Sequence, residues 1–217
     1  MPHGVVSLFL NAIAGWVDAV GYMALLASIR MFPSFMSGNL TKIVTDAVSG
    51  ETTSSGLIAG AVLAFFVGAV VGRLVNAGKA RRDPLSLGLV AVILGGSAAN
   101  LHLGGVEYPS LVALAAAMGM MNNAYSGRMR FHVHTFLSGI WVALATALAD
   151  RIAGRGDGQA AVVPLVTLLS VLSGAFAGAL SVSYAPLAVS IFLPTAAIAV
   201  IVAGLLSGLI PMIDDES

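Results

Sequence analysis

The sequence predicts an all-α polytopic membrane protein, and three observations support this fold class. Of the 217 residues, 58% are hydrophobic and only 9% are charged, whereas about 25% are charged in an ordinary soluble domain. The mean hydropathy is +0.97. Uncharged apolar runs such as 84–106 and 158–213 reach the roughly 20 residues that a helix needs to cross a bilayer. We therefore expect one transmembrane domain over residues 1–217.

Proline, glycine and charged residues divide the apolar sequence into eight predicted helical segments. In chain order they are 5–27, 35–49, 56–76, 85–103, 109–127, 135–149, 160–182 and 187–209. The second and sixth segments hold about 15 residues each, which corresponds to about 22 Å of helix. Because the hydrocarbon core is roughly 30 Å thick, these two are expected to be short broken or re-entrant helices.

The first segment also has some features of a secretory leader. Residues 5–14 are apolar, and Ala12-Ile13-Ala14 has the small-residue pattern of a cleavage site. The residues before it contain no Lys or Arg, which a leader normally carries. Because the apolar pattern continues to residue 27, we interpret this segment as the first membrane helix.

Three motifs of the first half recur in the second half in the same order. Residues 15–18 (Gly-Trp-Val-Asp) match 119–122 (Gly-Met-Met-Asn), 34–38 match 135–139, and 68–72 match 174–178. The offsets between matched motifs are 104, 101 and 106 residues. Because many transporters are internal duplications, we predict two repeats, about 5–104 and 109–210.

The relative orientation of the repeats depends on the two short segments. If both are re-entrant, six helices span the membrane and the repeats are inverted; if all eight segments span, the repeats are parallel. Basic residues are enriched on the cytoplasmic side. The inverted arrangement places eight basic residues inside and only Arg30 outside, whereas the parallel one places Arg151 and Arg155 outside and seven basic residues inside. We favour six spans with both termini inside and keep eight spans as the alternative.

The motifs of both halves resemble a known family. Residues 15–22 (Gly-Trp-Val-Asp-Ala-Val-Gly-Tyr) and 34–39 (Ser-Phe-Met-Ser-Gly-Asn) resemble the signature of the YoaK family, and 118–124 with 135–150 resemble its second signature. This resemblance covers nearly the whole chain. It implies a multi-pass helical protein of the bacterial inner membrane, from an uncharacterised family without a settled activity. Ile140 and Trp141 replace the small polar residues expected there, which argues against two equivalent sites.

Asp18 is the most informative polar residue because it lies about 20 Å along the first helix from residue 5. A lone carboxylate at such a depth costs at least about 2.5–3.5 kcal/mol and usually faces a cavity or a partner. Asp18 is therefore the leading candidate for binding a solute or carrying a proton. The alternative is a structural carboxylate that bonds a neighbouring backbone or pairs with Lys42.

Ser37, Gly38 and Asn39 open the second segment and are the next candidates for substrate binding. Pro33 precedes them and disfavours helix in the residue before it. A helix that begins at mid-depth directs its free N–H groups and its positive dipole end into the protein, where they can hold an anionic group. The alternatives are an ordinary helix cap at Ser37 or Asn39 and close packing at Gly38.

Two further pairs of polar residues complete the candidate set. Asn122 is the repeat counterpart of Asp18 and Asn123 adjoins it, so their amides either bind substrate or join neighbouring helices. Lys42 and Asp46 are four residues apart, a spacing that predicts an ion pair on one helix face. The Gly-x-x-x-Gly runs at 68–72 and 174–178 predict close helix contacts.

Composition and spacing also exclude several classes of function. The chain has no cysteine, which rules out disulfides and thiolate metal sites. Its formal net charge is zero and it has no basic block, so nucleic acid is not expected as a partner. No catalytic spacing appears, and His132 with His134 are interpreted as part of a loop, so neither an enzyme, a cofactor nor a metal site is predicted.

The predicted function is therefore a secondary transporter or channel-like permease for a small, unidentified solute or ion, with its cavity between the two repeats. The duplication, the short helices and the carboxylate at Asp18 lead to this prediction. A structural or assembly subunit is the alternative, and a lipid-modifying membrane enzyme is less favoured. Homo-oligomerisation through the Gly-x-x-x-Gly faces is compatible with either.

Overall fold

The computed structural model describes residues 2–24, 29–76, 83–123, 137–156 and 158–210. Within these ranges the regular structure consists of eight α-helices and one 3-10 turn, which confirms the all-α class. The helices are α1 (Pro2–Met23), α2 (Met36–Val48), α3 (Thr52–Val75), α4 (Asp83–His102), α5 (Glu107–Met121), α6 (Leu137–Ile152), α7 (Val162–Tyr184) and α8 (Leu187–Leu206), with the 3-10 turn at Gly158–Ala161. Each predicted segment corresponds to one helix.

Among the described residues, five helices are long and apolar enough to cross a membrane, namely α1, α3, α4, α7 and α8. The helix α2 has 13 residues, so it is short, as predicted. The helix α6 has 16 residues within the described part of the chain, which begins at Leu137 there. The helix α5, which we expected to span, has 15 residues and ends in a turn. Large apolar side chains such as Leu63, Phe66, Leu172 and Phe176 are exposed on the outer faces of α3 and α7, as expected for surfaces that contact lipid.

Several helices begin earlier than their sequence signals predicted. The helix α5 begins at Glu107 rather than at Pro109, because a proline in the first turn sacrifices no backbone hydrogen bond. The helix α3 begins at Thr52 rather than at Gly56, so that four hydroxyl-bearing residues form its first turn. These shifts of two to four residues leave the order of the elements unchanged.

The helices α1 and α7 pack side by side in parallel, at a distance that only small residues allow. A Cβ atom on Gly174 would collide with the backbone of Ala12, and one on Gly178 would lie 2.6 Å from the carbonyl oxygen of Trp16. From the pair Ala12 and Gly174 to the pair Trp16 and Gly178, the contact moves four residues toward the C-terminus of both helices. The two helices therefore run in the same direction. Small residues at such positions let two backbones approach closely in a membrane.

The same kind of contact joins α3 to α5, again in parallel. A Cβ atom on Gly68 would collide with the carbonyl oxygen of Ala116, and one on Gly72 would lie 2.7 Å from the carbonyl oxygen of Met120. Each close pair therefore combines one helix from the first half of the chain with one from the second.

The core lies where α4 and α8 meet α1, α3 and α5. Its largest fully buried side chains come from these helices and from the residues just before α2, namely Leu10, Met31, Ile58, Leu87, Leu94, Leu111, Leu114, Met118, Met121 and Ile191. The helices α4 and α5 form a hairpin, in which the Asn100 side-chain nitrogen donates to the carbonyl oxygen of Val106 (2.9 Å) and to Ser110 Oγ (3.0 Å). Within the described residues, α6 packs against α7 and the 3-10 turn.

Candidate functional site

The chain between α1 and α2 turns back along α1, so that Ser34 lies beside Asp18. The backbone N–H of Ser34 donates to Asp18 Oδ1 and its hydroxyl donates to Asp18 Oδ2, both at 2.6 Å. Ser34 is buried and Asp18 is half-buried. Both carboxylate oxygens therefore hold one residue of the returning chain, as in the structural alternative for Asp18.

Asn39 holds the same returning chain from the α2 side. Its side-chain nitrogen donates to the carbonyl oxygen of Phe32 (2.6 Å), and its Oδ1 accepts from the backbone N–H of Phe32 (3.2 Å). The N-cap position of α2 is occupied by Phe35, which makes no side-chain capping bond. Asn39, which is 1% exposed, therefore fixes the backbone N–H and the carbonyl group of Phe32 and does not cap the helix. Ser37 is exposed.

Aromatic rings fill the space between the returning chain and α1. Phe32 stacks on Tyr22 with ring centroids 4.6 Å apart and meets Phe35 edge-on at 6.0 Å. The guanidinium of Arg30 lies 5.9 Å from the centroid of the Tyr22 ring. Arg30 has a positive φ of 48°, which is uncommon for a non-glycine residue and sharpens the turn.

Two glycines make room for these contacts. A Cβ atom on Gly21 would collide with the ring of Pro33, and one on Gly38 would lie 2.7 Å from the ring of Phe35. Gly38 therefore packs closely against Phe35, which is compatible with its packing alternative, and its role in substrate binding stays a prediction.

Lys42 and Asp46 form an ion pair on α2, with Nζ 2.8 Å from Oδ2. Ser54 donates to the same carboxylate oxygen at 2.6 Å, which connects α2 to α3. Ser55 strengthens this connection by donating to the carbonyl oxygen of Ile43 at 2.9 Å. Lys42 therefore pairs on its own helix and not with the carboxylate of α1.

Asn122 and Asn123 lie at the end of α5, where it contacts α3. The backbone N–H of Asn122 donates to the carbonyl oxygen of Met118 at 3.2 Å. The Asn123 side-chain nitrogen donates to the carbonyl oxygen of Ala69 at 2.9 Å, and the backbone carbonyl oxygen of Asn123 accepts from the Asn76 side-chain nitrogen at 2.7 Å. The predicted site residues therefore lie in two places. Those of the first half lie around the non-helical segment between α1 and α2, and Asn122 and Asn123 lie at the α3–α5 contact.

Sequence reasoning missed Ser34 and Phe32, the partners that Asp18 and Asn39 hold. The available signal was Pro33, which requires a non-helical segment before α2 and so leaves unpaired backbone groups beside it. Residues 124–136, which include Thr135, Arg128, Arg130, His132 and His134, lie outside the described residues. In α6, Ile140 is buried and Trp141 is exposed.

No group of three or more His, Asp or Glu side chains that could hold a metal ion occurs in the parts of the chain that the structure describes. A family model described as "Protein of unknown function (DUF1275)" matches residues 6–204. Comparison with curated proteins and with solved structures found no match. The predicted membership in a family without a settled activity is thereby confirmed, under this description and not under the name YoaK.

Proposed function

Because the chain belongs to the DUF1275 family, whose description names no activity, we propose a function from its own geometry. We propose a secondary transporter or channel-like permease for a small solute, in the bacterial inner membrane. The observation that carries this proposal is the break between α1 and α2. The chain leaves α1 at Met23 and returns to Asp18, five residues or about 8 Å back along the helix, before α2 begins.

A non-helical segment inside a bilayer restricts what can surround it. Non-helical backbone is tolerated at membrane depth only where it is buried in protein or lines a water-filled cavity. Met31 and Ser34 are buried, whereas Arg30 and Ser37 on either side of them are exposed. We assign to Asp18 and Asn39 the task of holding the break in shape. In the first turn of α2 the N–H of Met36 donates to the carbonyl oxygen of Ser34, and we assign the N–H groups of Ser37 and Gly38 to the solute.

The proposed duplication is supported by the helix contacts. Gly15 of α1 packs against the backbone of α7 at Val171 and Ala175, and Gly119 of α5 packs in the same way against Phe65 and Ala69 of α3. Gly119 follows Gly15 by 104 positions, and Val171 and Ala175 follow Phe65 and Ala69 by 106 positions. The sequence motifs in these helices have the same two offsets. We place Asn122 and Asn123 of the second repeat on the same solute path.

The proposed topology has six spans, namely the five long helices and α5, with α2 and α6 re-entrant from opposite sides. The predicted segment 109–127 that contains α5 continues beyond Asn123, the last residue described there. It places Glu51, before α3, outside and Arg155, after α6, inside, whereas eight spans place both outside. The chain has no cysteine, so each single-cysteine variant reports on one position. In intact cells, a membrane-impermeant maleimide is expected to label Glu51→Cys and to spare Arg155→Cys. Labelling of both variants would support the eight-span alternative.

The binding function is tested by thermal unfolding of purified protein with amino acids, carboxylates and monovalent cations. A ligand at a hundred times its Kd stabilises by about 2.7 kcal/mol, which is about 5–11 °C for a chain of this length. We expect at least one compound to stabilise wild type and Asp150→Asn, a matched change at an exposed carboxylate. The same compound is expected to lose its effect in Asp18→Asn. The absence of any shift in wild type would contradict the permease.

One observation favours a second candidate, a structural or assembly subunit. Both oxygens of Asp18 are engaged by Ser34, and Asn123 joins two helices, so these residues also serve a purely architectural role. This function predicts co-purification with one partner at fixed stoichiometry. It also predicts that Asp18→Asn lowers the melting temperature without changing any ligand response.

A further inference from the structure

We infer that the solute is an amino acid with an uncharged side chain, whose ammonium group binds Asp18 and whose carboxylate binds Arg30. This inference rests on the proposed function, because it names the class of substrate that the same site takes. It starts from two side chains of opposite charge at the non-helical segment between α1 and α2. Neither of them forms an ion pair with a residue that the structure describes.

The negative charge of Asp18 is not balanced by a basic side chain in the described parts of the chain. Lys42, which the sequence suggested as its partner, binds Asp46 instead. Asp18 accepts from the N–H and the hydroxyl of Ser34, which are neutral donors and leave the charge in place. A carboxylate has about four acceptor positions, so about two of them remain for a ligand. Because a charge at membrane depth normally has a partner, we expect a cationic group of the solute here.

Arg30 carries the opposite charge and has no carboxylate partner among the described residues. Its guanidinium lies 5.9 Å from the centroid of the Tyr22 ring, which is the range of a cation–π contact. A guanidinium presents a planar set of N–H donors that binds a carboxylate through two parallel hydrogen bonds. Arg30 can therefore hold the carboxylate of a ligand while it stays against the Tyr22 ring.

The position of Arg30 in the chain directs its side chain toward an accessible space. Its neighbours Ile29 and Met31 are 6% and 1% exposed, whereas Arg30 itself is exposed. Its φ of 48° belongs to a class of backbone conformations that persist where the surrounding structure enforces them and that cluster at ligand-binding sites. Because non-helical backbone at membrane depth is buried or lines a water-filled cavity, we place this side chain in such a cavity.

The spacing of the two charges favours a compact ligand. Tyr22, which Arg30 contacts, follows Asp18 by four residues and therefore lies on the same face of α1, about 6 Å further along the helix. A charge-assisted hydrogen bond takes up about 2.8 Å at each end of a bound ligand. An amino acid fits this arrangement because its ammonium and carboxylate groups are attached to one carbon atom. The N–H groups that the proposed function assigns to the solute are donors as well, so they match the same carboxylate.

The surroundings of the two charges favour an uncharged side chain on the ligand. Phe32 stacks on Tyr22 and meets Phe35 edge-on, so aromatic surface lies next to both charged groups. A third charge on the ligand would need a further partner, because a desolvated charge without one is costly. Lys42 and Asp46 are already engaged with each other.

Thermal unfolding with matched compounds tests the two charges separately. The amino acids with uncharged side chains are screened first, and the best binder is compared with the amine and the carboxylic acid derived from it. For leucine these are 3-methylbutylamine and 4-methylpentanoate. We expect wild type to bind the amino acid at least about tenfold more tightly than either analogue, which is the factor for losing one hydrogen bond to a charged group.

Two variants exchange this preference in opposite ways. Arg30→Gln removes the positive charge and is expected to bind the amino acid and the amine equally. Asp18→Asn removes the negative charge and is expected to bind the amino acid and the carboxylic acid equally. Arg151→Gln, a matched change at an exposed arginine in the last turn of α6, is expected to keep the wild-type preference. If Asp18→Asn fails to fold, Arg30→Gln still decides the test, because Arg30 is exposed.

Equal binding of the amino acid and its amine to wild type would overturn the inference, as would an unchanged preference in Arg30→Gln. Stabilisation of wild type only by compounds of another class would also overturn it, while the permease would stand. Uptake of the radiolabelled amino acid into proteoliposomes tests the permease itself. Binding with the expected preferences but without uptake would uphold the amino acid site and count against the permease alone.

Discussion

Replacing Gly68 by alanine tests whether close backbone packing holds α3 to α5. The new Cβ atom would lie 2.8 Å from the carbonyl carbon of Ala116 and 2.9 Å from its Cα, whereas carbon atoms in contact are normally about 3.5–4.0 Å apart. Backbone atoms cannot rotate away as a side chain does. The two parallel helices must therefore separate by about 1 Å.

Gly56 in the same helix provides the matched control. A Cβ atom there meets nothing within 4 Å, so Gly56→Ala is expected to gain up to about 1 kcal/mol from helix propensity. Gly68→Ala gains the same amount but loses about 1–3 kcal/mol through overpacking. The difference between the two variants is the overpacking cost alone, which corresponds to about 2–12 °C in melting temperature for a chain of this length.

Thermal unfolding of both variants in the same detergent measures this difference directly. Gly174→Ala in α7, which faces the backbone of Ala12, is expected to fall on the destabilised side with Gly68→Ala. If Gly68→Ala melts at or above Gly56→Ala, the α3–α5 contact is looser than described and the reasoning fails.

Three further outcomes are expected. Ser34→Ala is expected to lower the free energy of unfolding by about 1.5–3 kcal/mol, because its hydroxyl bonds a carboxylate; a loss below about 0.5 kcal/mol by denaturant titration would contradict this. Asn39→Ala, which removes the side-chain partner of both the N–H and the carbonyl group of the half-buried Phe32, is expected to cost about 2 kcal/mol or more. The exposed Ser37→Ala should stay within about 0.5 kcal/mol, and equal effects of the two variants would refute the assigned roles. Lys42→Met leaves Asp46 without its cation. This variant is expected to lower the free energy of unfolding equally at about 0.1 M and about 1 M salt, because salt ions screen charge pairs within the bilayer poorly. A destabilisation that disappears at high salt would place α2 in water.

The order of the helices among the described residues and the shortness of α2 follow from the sequence, because both depend on local properties. Hydropathy over about 20 residues determines whether a segment can span, and glycine, proline and charge mark its ends. The pairing of Lys42 with Asp46 is local as well, since residues four apart lie on one helix face. The family membership was accessible for the same reason, because its motifs are short and contiguous.

The partners of Asp18 and Asn39, and the choice of helices that pack together, were decided only by the tertiary structure. Asp18 is 16 residues from Ser34 along the chain, and the sequence does not define the direction that the chain takes after α1. The pairing of α1 with α7 joins segments about 160 residues apart. Lipid tails are as apolar as the side chains of the helices, so hydrophobicity selects no partner within a bilayer. The selection is made by small residues that let particular backbones approach. Every described α-helix contains glycine, so the presence of glycine does not identify the partner.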